Sequence, residues 1–240
     1  MSESHRKIKS FALRCGRMTG GQAAAYESML PTYGIDFVKQ AIDLKALFGN
    51  DNPVVLEIGF GMGASLAIQA ANNPDQNFIG VEVHTPGVGA LLARMKEAEV
   101  TNIRIISHDA VEVFEHMIVD NSLHRVQLFF PDPWHKRKHH KRRIVKSEFI
   151  QEIRAKLTDE GVFHMATDWE DYAKHMLKEM LAEKGWHNQS QDNSYVPKPE
   201  YRPVTKFQKR GEKLGHGVWD LLFQKEQFQK DIVNGEAKDV

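Results

Sequence analysis

Apolar positions along the chain fall into two patterns: short continuous runs, and stretches in which they recur every three or four residues. The continuous runs are typical of strands buried on both faces of a sheet, and they lie at 54–58, 77–84, 103–107, 126–130, 161–167 and 218–223. Helical spacing fills the intervals, and a further amphipathic helix is predicted from Asp36 to Gly49. Strands that alternate with helices predict an α/β fold, a doubly wound, mostly parallel sheet with helices on both faces.

The two ends of the chain lack this alternation. Residues 1–35 show no clear periodicity, and before residue 20 they carry five Lys or Arg against a single acid, which predicts a basic N-terminal arm. Residues 188–217 are polar and contain three prolines, which predicts a long loop. We therefore expect the folded domain to span residues 36–225, followed by a polar tail at 226–240.

Composition indicates a soluble globular protein. The 240 residues are 41% hydrophobic and 27% charged, and no apolar run approaches the length of a membrane span. The N-terminus lacks the apolar segment of a signal peptide. The single cysteine, Cys15, excludes an internal disulfide and suits a reducing compartment. We therefore expect a cytoplasmic protein that does not bind membranes.

The first strand leads into a glycine-rich turn. Gly59, Gly61 and Gly63 follow the strand and permit a tight turn in which the backbone approaches a ligand closely. Strand, turn and helix together open a βαβ unit of the kind that binds the adenosine part of a cofactor. The glycine spacing also matches the dinucleotide-binding pattern loosely, so a nicotinamide cofactor is an alternative at this point.

Glu57 favours S-adenosylmethionine over a dinucleotide. This carboxylate lies at the end of the strand, beside the turn where a pyrophosphate would bind. Two like charges a few ångströms apart in a poorly solvated turn repel each other strongly. S-adenosylmethionine has no phosphate, and its sulfonium and ammonium groups favour a nearby acid. An acid two residues before a Gly-x-Gly turn is also typical of the first motif of class I methyltransferases.

Every strand of the parallel run ends at or near an acid. Ligands of open α/β sheets bind beyond the carboxyl ends of the strands. We therefore expect one edge of the sheet to gather Glu57, Glu82, Asp109, Asp132 and Asp168. Strand order indicates roles at the cofactor. Glu82 would accept hydrogen bonds from the ribose hydroxyls, Asp109 would receive the adenine amine, and Glu57 would face the methionine part.

Asp132 is the leading candidate for chemistry. Pro131 and Pro133 fix the backbone on both sides of it, and Trp134 offers a face on which a base could stack. The basic run that follows, residues 135–143, holds six Lys or Arg and no acid, although the whole chain has zero net charge. These features predict a site for structured RNA, with phosphate contacts from Lys138, Lys141, Arg142 and Arg143. The histidines of this run have no carboxylate or thiolate beside them, so we expect no metal.

Together the motifs resemble the bacterial tRNA (guanine-N7-)-methyltransferase family. The resemblance spans almost the whole chain and is carried by residues 56–63, 80–84, 108–110, 130–143, 166–168, 205–207 and 215–217. It implies methyl transfer from S-adenosylmethionine to N7 of the variable-loop guanosine, position 46 of tRNA. It also implies a cofactor site built from Glu57, Glu82, Asp109 and Asp132. The residues that it implies at the tRNA substrate are Lys136, Asp168, Thr205, Lys206, Phe207 and Gln208.

One position departs from the family pattern, which has Glu where this chain has Gln208, so hydrogen-bonding capacity is kept and the charge is lost. The implied chemistry agrees with the residues: N7 of guanine carries a lone pair and no proton, so no general base is needed. Three alternatives stay open from the residues alone. The first is a methyltransferase for another RNA base or a small molecule, and the second is an RNA-binding module that keeps a cofactor pocket without catalysis. The third is a nicotinamide-dependent dehydrogenase. No obligate protein partner is indicated.

Overall fold

A computed structural model describes residues 9–12, 16–204, 208 and 217–227. Within these residues eight strands form one sheet: β1 (Gly34–Ile35), β2 (Val54–Ile58), β3 (Asn77–Val81), β4 (Ile103–Ile106), β5 (Leu123–Phe129), β6 (Leu157–Thr167), β7 (Trp186–Asn188) and β8 (Trp219–Lys225). The helices are α1 (Gly20–Tyr33), α2 (Leu44–Phe48), α3 (Ala64–Asn72), α4 (Thr85–Glu97), α5 (Ala110–His116), α6 (Ser147–Lys156), α7 (Glu170–Ala182) and the basic 3₁₀ helix (Arg137–Arg142).

The strand order of the sheet is β1-β4-β3-β2-β5-β6-β8-β7. Neighbouring strands are parallel from β1 to β6, whereas β8 is antiparallel to both β6 and β7. After β4 the chain returns to the middle of the sheet, so the strand order reverses between β2 and β5. The predicted doubly wound, mostly parallel sheet is therefore confirmed. Such a reversal is where open α/β sheets bind ligands.

Two apolar clusters pack on the two faces of the sheet. On one face α5, α6 and α7 bury Phe114, Ile150 and Met176 against Leu56 of β2. On the other face α1, α3 and α4 pack over the neighbouring residue of β2, Val55. Successive side chains of a strand point to opposite faces, so a strand covered on both sides reads as a continuous apolar run.

Residues 189–204 take the place of a helix over part of the second face. The N–H of Val196 donates to the Asp220 carbonyl of β8 at 2.9 Å. The Tyr201 ring lies 4.0 Å from the guanidinium carbon of Arg125 on β5, and its hydroxyl donates to the buried His164 of β6. The part of the predicted long loop up to residue 204 is thus part of the layer that covers the sheet.

The N-terminal arm is shorter than the sequence predicts. Residues 20–35, which were assigned to the arm, form α1 and β1, and Ala25 is buried against the domain. The helix begins at a capping box in which Thr19 and Gln22 exchange side chain to backbone hydrogen bonds. Tyr26, Met29, Leu30 and Tyr33 recur at helical spacing and pack on the second face of the sheet, but two glycines at the start of the helix and a proline inside it obscure the pattern in the sequence. Residues 1–8 lie outside the described part.

Other elements also differ from the predicted ones. The helix expected from Asp36 is confined to α2, because the Asp43 carboxylate caps it by accepting the Ala46 N–H at 3.0 Å. Gly49 ends this helix as predicted, with a φ of +71°. Strand β7 was not predicted, since three residues are too few to show an alternating pattern.

Among the described helices, none combines the length and apolar character needed to cross a bilayer.

Candidate active site

The carboxyl ends of β2 to β6 form one edge of the sheet, with the glycine turn at its centre. Residues paired across β3, β2 and β5 bring the ends of these three strands to the same level. Glu82 therefore follows the strand on one side of the turn, and Asp132 follows the strand on the other. Asp109 and Asp168 lie beyond the outer strands β4 and β6. Within the described ranges no three His, Cys, Asp or Glu residues are grouped so as to hold a metal ion.

The glycine turn has a backbone that glycine adopts most readily. Gly59, Gly61 and Gly63 have φ angles of +69°, +57° and +70°. A Cβ added at Gly63 would lie 2.6 Å from the Cβ of Leu91, and one added at Gly87 would lie 2.1 Å from the Gly61 carbonyl oxygen. The turn therefore packs directly on α4, and larger residues at these positions would push it out of place.

Glu82 holds the turn from the end of β3. Its Oε2 accepts the Gly61 N–H at 2.8 Å, and its Oε1 accepts the N–H groups of Val83 at 2.7 Å and His84 at 2.9 Å. Hydrogen bonds to a carboxylate are stronger than those between neutral groups, so the side chain is firmly oriented. Oε2 accepts one hydrogen bond and keeps acceptor capacity, so the predicted contact with a ribose hydroxyl is compatible with this structural role.

Glu57 is buried beside the turn with one oxygen unsatisfied. The residue is 3% exposed, and no described residue forms a hydrogen bond to its Oε2. Burial, with a smaller contribution from the charge of Glu82, raises the pKa of Glu57 to about 8. A cationic ligand group would satisfy this oxygen, whereas a phosphate would add another negative charge. The pair of acids therefore fits the ammonium group of S-adenosylmethionine and not a dinucleotide.

Asp109 is held at the start of α5. Its Oδ1 accepts the Val111 N–H at 3.1 Å. Burial raises the pKa of the Asp109 carboxyl, and the hydrogen bond from Val111 partly offsets this effect. The ring of the preceding His108 is stacked on Phe37 with 3.7 Å between the centroids. A helix cap and an aromatic stack therefore fix Asp109 at the edge where adenine is predicted to bind.

The Asp132 turn, defined here as Phe130–Trp134, begins and ends in strained backbone. Phe130 and Trp134 have φ angles of +52° and +51°, a region that costs a bulky residue on the order of 1–3 kcal/mol. The Phe130 N–H donates to the Ala166 carbonyl of β6 at 2.7 Å. Strain of this kind persists only where the surrounding structure enforces it, and it concentrates at functional sites. The partly exposed Asp132 is therefore presented in a defined position.

Arg143 helps to enforce the conformation of the Asp132 turn. Its Nε donates to the Pro133 carbonyl at 3.1 Å, and its guanidinium pairs with Asp171 and lies 4.8 Å from the Tyr172 ring centroid. The residue is 3% exposed, so its burial does not support the predicted contact between Arg143 and a tRNA phosphate. In the sequence it is one cation of a basic run. In the structure Asp171, Tyr172 and the Pro133 carbonyl draw it into the interior.

Trp134 does not offer a free stacking surface on both sides. The guanidinium carbon of Arg142 lies 3.8 Å from its ring centroid and covers one face. Its Nε1 donates to the Ser10 carbonyl at 3.1 Å, while Arg142 donates to the carbonyls of Lys9 at 3.0 Å and Phe11 at 2.8 Å. The described part of the N-terminal segment thus binds Trp134 and Arg142 together. Arg142 remains a predicted phosphate contact, although its donors already have partners.

The predicted substrate residues of the basic segment lie on the surface near Asp168. His135 contacts Trp169 edge to face, with 4.1 Å between the ring centroids. Trp169 directly follows Asp168 at the end of β6, so this contact joins the start of the basic segment to that strand end. The exposed lysines of the basic 3₁₀ helix and its cap are Lys136, Lys138 and Lys141.

Of the predicted segment from Thr205 to Gln208, the structure describes Gln208. This side chain is 6% exposed, and its Oε1 accepts a hydrogen bond from Nη1 of Arg202 at 2.8 Å. The oxygen thus faces the protein interior, which does not match the predicted direct contact with substrate. The predictions for Thr205, Lys206 and Phe207 fall outside the described residues.

A buried polar network around Arg202 was not predicted. The fully buried Arg202 donates from Nε and Nη2 to the two carboxylate oxygens of Asp220, at 2.6 and 2.7 Å. Burial lowers the pKa of His164 to about 4, so its ring is neutral. It donates from Nε2 to Asp220 at 2.8 Å and accepts the Tyr201 hydroxyl at Nδ1 at 2.9 Å. Two features of the sequence could have indicated this network: His164 and Asp220 each lie within a strand that is otherwise apolar.

The fold and the acid-lined edge define a class of enzymes. The chain superposes on the 16S rRNA methyltransferase KamB with a TM-score of 0.58, covering 80% of this chain and 97% of that one at 15% identity. An rRNA methylase from Streptococcus thermophilus gives a TM-score of 0.52, covering 74% and 89% at 12% identity. A family model with the description "Putative methyltransferase" matches residues 51–221. The protein is therefore a class I S-adenosylmethionine-dependent methyltransferase.

Curated relatives narrow this class. The tRNA (guanine-N(7)-)-methyltransferase of Aeromonas hydrophila is 61% identical over 220 residues, covering 92% of this chain and 93% of the relative. The enzyme of the same name from Vibrio cholerae is 60% identical over 221 residues, covering 92% of each. The chain belongs to the tRNA (guanine-N(7)-)-methyltransferase family, which confirms the resemblance found in the sequence.

Proposed function

We propose that this protein transfers the methyl group of S-adenosylmethionine to N7 of guanosine 46 in the variable loop of tRNA. Membership of the family supports methylation of a tRNA guanine. The observation that carries the proposal is the Asp132 turn. It presents an acid between two prolines, in strained backbone, next to the glycine turn where the strand order reverses.

The cofactor would bind at this reversal. Glu57 would accept hydrogen bonds from its ammonium group through the oxygen that has no other partner among the described residues. Glu82 would accept the ribose hydroxyls while it holds Gly61, and Asp109 would receive the adenine amine at the end of β4. Bound in this way, S-adenosylmethionine supplies an electrophilic methyl group on its sulfonium.

Asp132 would act on the guanine. N7 already has a free lone pair, so the site needs no residue that removes a proton, and the proposed chemistry needs no metal. Catalysis then depends on positioning and on electrostatic stabilisation. As the bond from N7 to the methyl carbon forms, positive charge develops on the purine ring. A fixed carboxylate beside the ring stabilises that charge without reorganising, which is the role we assign to Asp132.

The tRNA would approach along the basic segment. Lys136, Asp168 and the stretch 205–207 would contact the guanosine and its neighbours, as the resemblance implies. Exposed Lys138 and Lys141, together with Arg142, would contact phosphates. These contacts would make tRNA binding strongly dependent on salt. The proposed partner is tRNA alone, with no obligate protein partner, and the proposed location is the cytoplasm.

The product of the reaction tests this function. Unmodified tRNA is incubated with labelled S-adenosylmethionine and the protein, then treated with borohydride and aniline, which cleave the chain at N7-methylguanine. We expect a single cut at position 46 that depends on the protein and on the cofactor. Label on another base would indicate a different RNA methyltransferase, and tRNA binding without label would indicate an RNA-binding module without catalysis.

A further inference from the structure

We propose that Arg202 is a positioning residue for methyl transfer, because its guanidinium joins β8, Gln208 and the strand end that carries Asp132. The inference rests on the proposed function, in which Asp132 is the carboxylate beside the reacting guanine. Arg202 itself is fully buried and lies outside the predicted cofactor and substrate contacts. It would therefore act through the residues that it holds.

The first requirement is that the guanidinium has a fixed position. Two of its nitrogens donate to the two oxygens of Asp220, a bidentate arrangement that sets both place and orientation. Burial alone raises the pKa of Asp220, but hydrogen bonds from His164 and Arg202 hold it below its ordinary value, so the pair is ionic. Asp220 is paired with Ala166 near the carboxyl end of β6. The ion pair therefore lies next to the edge that holds the site.

The second requirement is contact with the Asp132 turn. The guanidinium carbon of Arg202 lies 5.9 Å from the ring centroid of Phe129 and 5.7 Å from that of Phe130. Phe129 ends β5, and Phe130 is the first residue of the turn, with its φ of +52°. A cation at this distance from a ring attracts and orients it. Arg202 thus supports the residue at which the strained turn begins, two positions before Asp132.

The third requirement is contact with Gln208, which the guanidinium meets through its remaining nitrogen, Nη1. A planar fork with donors on three nitrogens can hold Asp220 and Gln208 at once, which a lysine ammonium cannot do in the same geometry. A glutamate at position 208, as in the family pattern, would offer the same oxygen acceptor. The oxygen, and not the charge, is therefore the feature that Arg202 requires there.

A purely structural buried cation is available for comparison on the same strand. Lys225 is 7% exposed at the opposite end of β8, where it donates to Asn121 Oδ1 at 2.6 Å and to the Leu157 carbonyl at 2.7 Å. It is paired with Trp186, away from the carboxyl edge. Replacing Lys225 therefore removes a buried cation without touching the Asp132 turn.

The test uses Arg202→Lys, Gln208→Leu and Gln208→Glu, with Lys225→Met as the control. Turnover of S-adenosylmethionine and tRNA, binding of S-adenosylhomocysteine and thermal unfolding are measured for each full-length protein below its melting temperature. For Arg202→Lys we expect kcat to fall about 10- to 100-fold, since small displacements of catalytic groups cost rates of this size. Binding of S-adenosylhomocysteine should change far less than kcat, because within the described residues Arg202 donates hydrogen bonds to Asp220 and Gln208 and none to Glu57, Glu82 or Asp109.

The two variants of Gln208 separate positioning from general destabilisation. Gln208→Leu should lose turnover and Gln208→Glu should keep it. Gln208→Leu should also cost little more in the Arg202→Lys background, because both changes break one connection. Lys225→Met should melt earlier and keep wild-type kcat.

Wild-type kcat in a folded Arg202→Lys protein would overturn the inference. An equal loss of kcat in Lys225→Met, at the same loss of thermal stability, would also overturn the inference. If Arg202→Lys does not fold, the difference between the two Gln208 variants decides, and equal kcat values in them would overturn the inference. Failure of the proposed function is recognised from a different observation, because the wild-type protein would then give a product other than N7-methylguanine. The ratio of variant to wild-type turnover still tests Arg202 in that case.

Discussion

At the scale of single residues, Glu57 carries an ionisation cost that a bound cation would remove. Burial raises its pKa from 4.5 to about 8. Between these two pH values the folded protein without cofactor holds a proton that the unfolded chain releases. The contribution of Glu57 to the free energy of unfolding therefore falls as pH rises through this window. An ammonium group beside Oε2 favours the ionised form, so cofactor binding and loss of this proton are coupled.

We predict that S-adenosylhomocysteine binds more tightly as the pH rises from 6 to 8. The affinity should increase by up to about tenfold per pH unit, the limit for one released proton. Calorimetric titration in buffers of different ionisation enthalpy measures both the affinity and the proton. In Glu57→Gln the affinity should be weaker and nearly independent of pH over this range. A wild-type affinity that does not change between pH 6 and 8 would contradict this assignment.

Arg143 gives a second prediction at this scale, because burial and the sequence pattern assign it different roles. Arg143→Gln removes the charge, shortens the side chain and loses its hold on the Pro133 carbonyl. We expect lower turnover and a stability loss of about 1 kcal/mol for each hydrogen bond that is broken. The dependence of tRNA binding on salt should stay as in the wild type, since this side chain is inside the protein. If the variant lowers the salt slope by about 0.7–0.9, the value for one neutralised phosphate, then Arg143 contacts a tRNA phosphate and this prediction is contradicted.

At the scale of elements, the basic 3₁₀ helix separates two functions that the sequence presents as one run of charge. Its inward side connects the Asp132 turn to α7 through Arg143, and its exposed side presents Lys138 and Lys141. The helix has no acid in it, so its exposed cations are not neutralised locally. Exposed lysines of this kind contribute to affinity for a polyanion and little to folding.

We predict that Lys138→Gln combined with Lys141→Gln weakens tRNA binding and flattens its dependence on salt. The slope of log K against log salt should decrease by about 0.7–0.9 for each phosphate that the variant no longer neutralises. Melting temperature and S-adenosylhomocysteine binding should not change. Lys96→Gln serves as the matched control, since this exposed lysine lies in the last turn of α4, at the far end from the site. If the slope of log K against log salt is the same in the double variant and the wild type, then Lys138 and Lys141 do not contact tRNA phosphates and the prediction is contradicted.

The elements that the sequence predicts well are those buried on both faces. β2, β3 and β4 read as predominantly apolar runs because helices cover both sides, and an acid lies at or near the carboxyl end of each. Helix α1 has large apolar residues at helical spacing, but the sequence does not predict it because two glycines at its start and a proline inside it are typical of loops. The Arg202 network was missed because its members are far apart in the sequence. Only folding brings residue 202 of the loop to residue 220 of β8.

At the scale of the whole molecule, the fold places one group of residues on each side of the strand reversal. Glu57, Glu82 and the glycine turn lie on the side of β2 and β3, and the Asp132 turn lies on the side of β5. Asp168 and the network of β6 and β8 extend this second side. The sequence predicts that the strand-end acids gather at one edge of the sheet, but it does not predict where the strand order reverses. It could not predict which cations face inward, since that depends on the partners that folding supplies.

The central claim is that the Asp132 carboxylate stabilises charge developing on the guanine, and one rate measures it most directly. Single-turnover methylation of tRNA is compared in the wild type and in Asp132→Asn, a neutral variant of nearly equal size, with both substrates saturating. Removal of one preorganised electrostatic group typically costs about 100- to 1000-fold in rate, and we predict a loss of this order. Binding of tRNA should be unchanged, and saturating S-adenosylmethionine removes any effect of Asp132 on the affinity for the cofactor. Methylation at the wild-type rate by the folded Asp132→Asn protein would contradict the account.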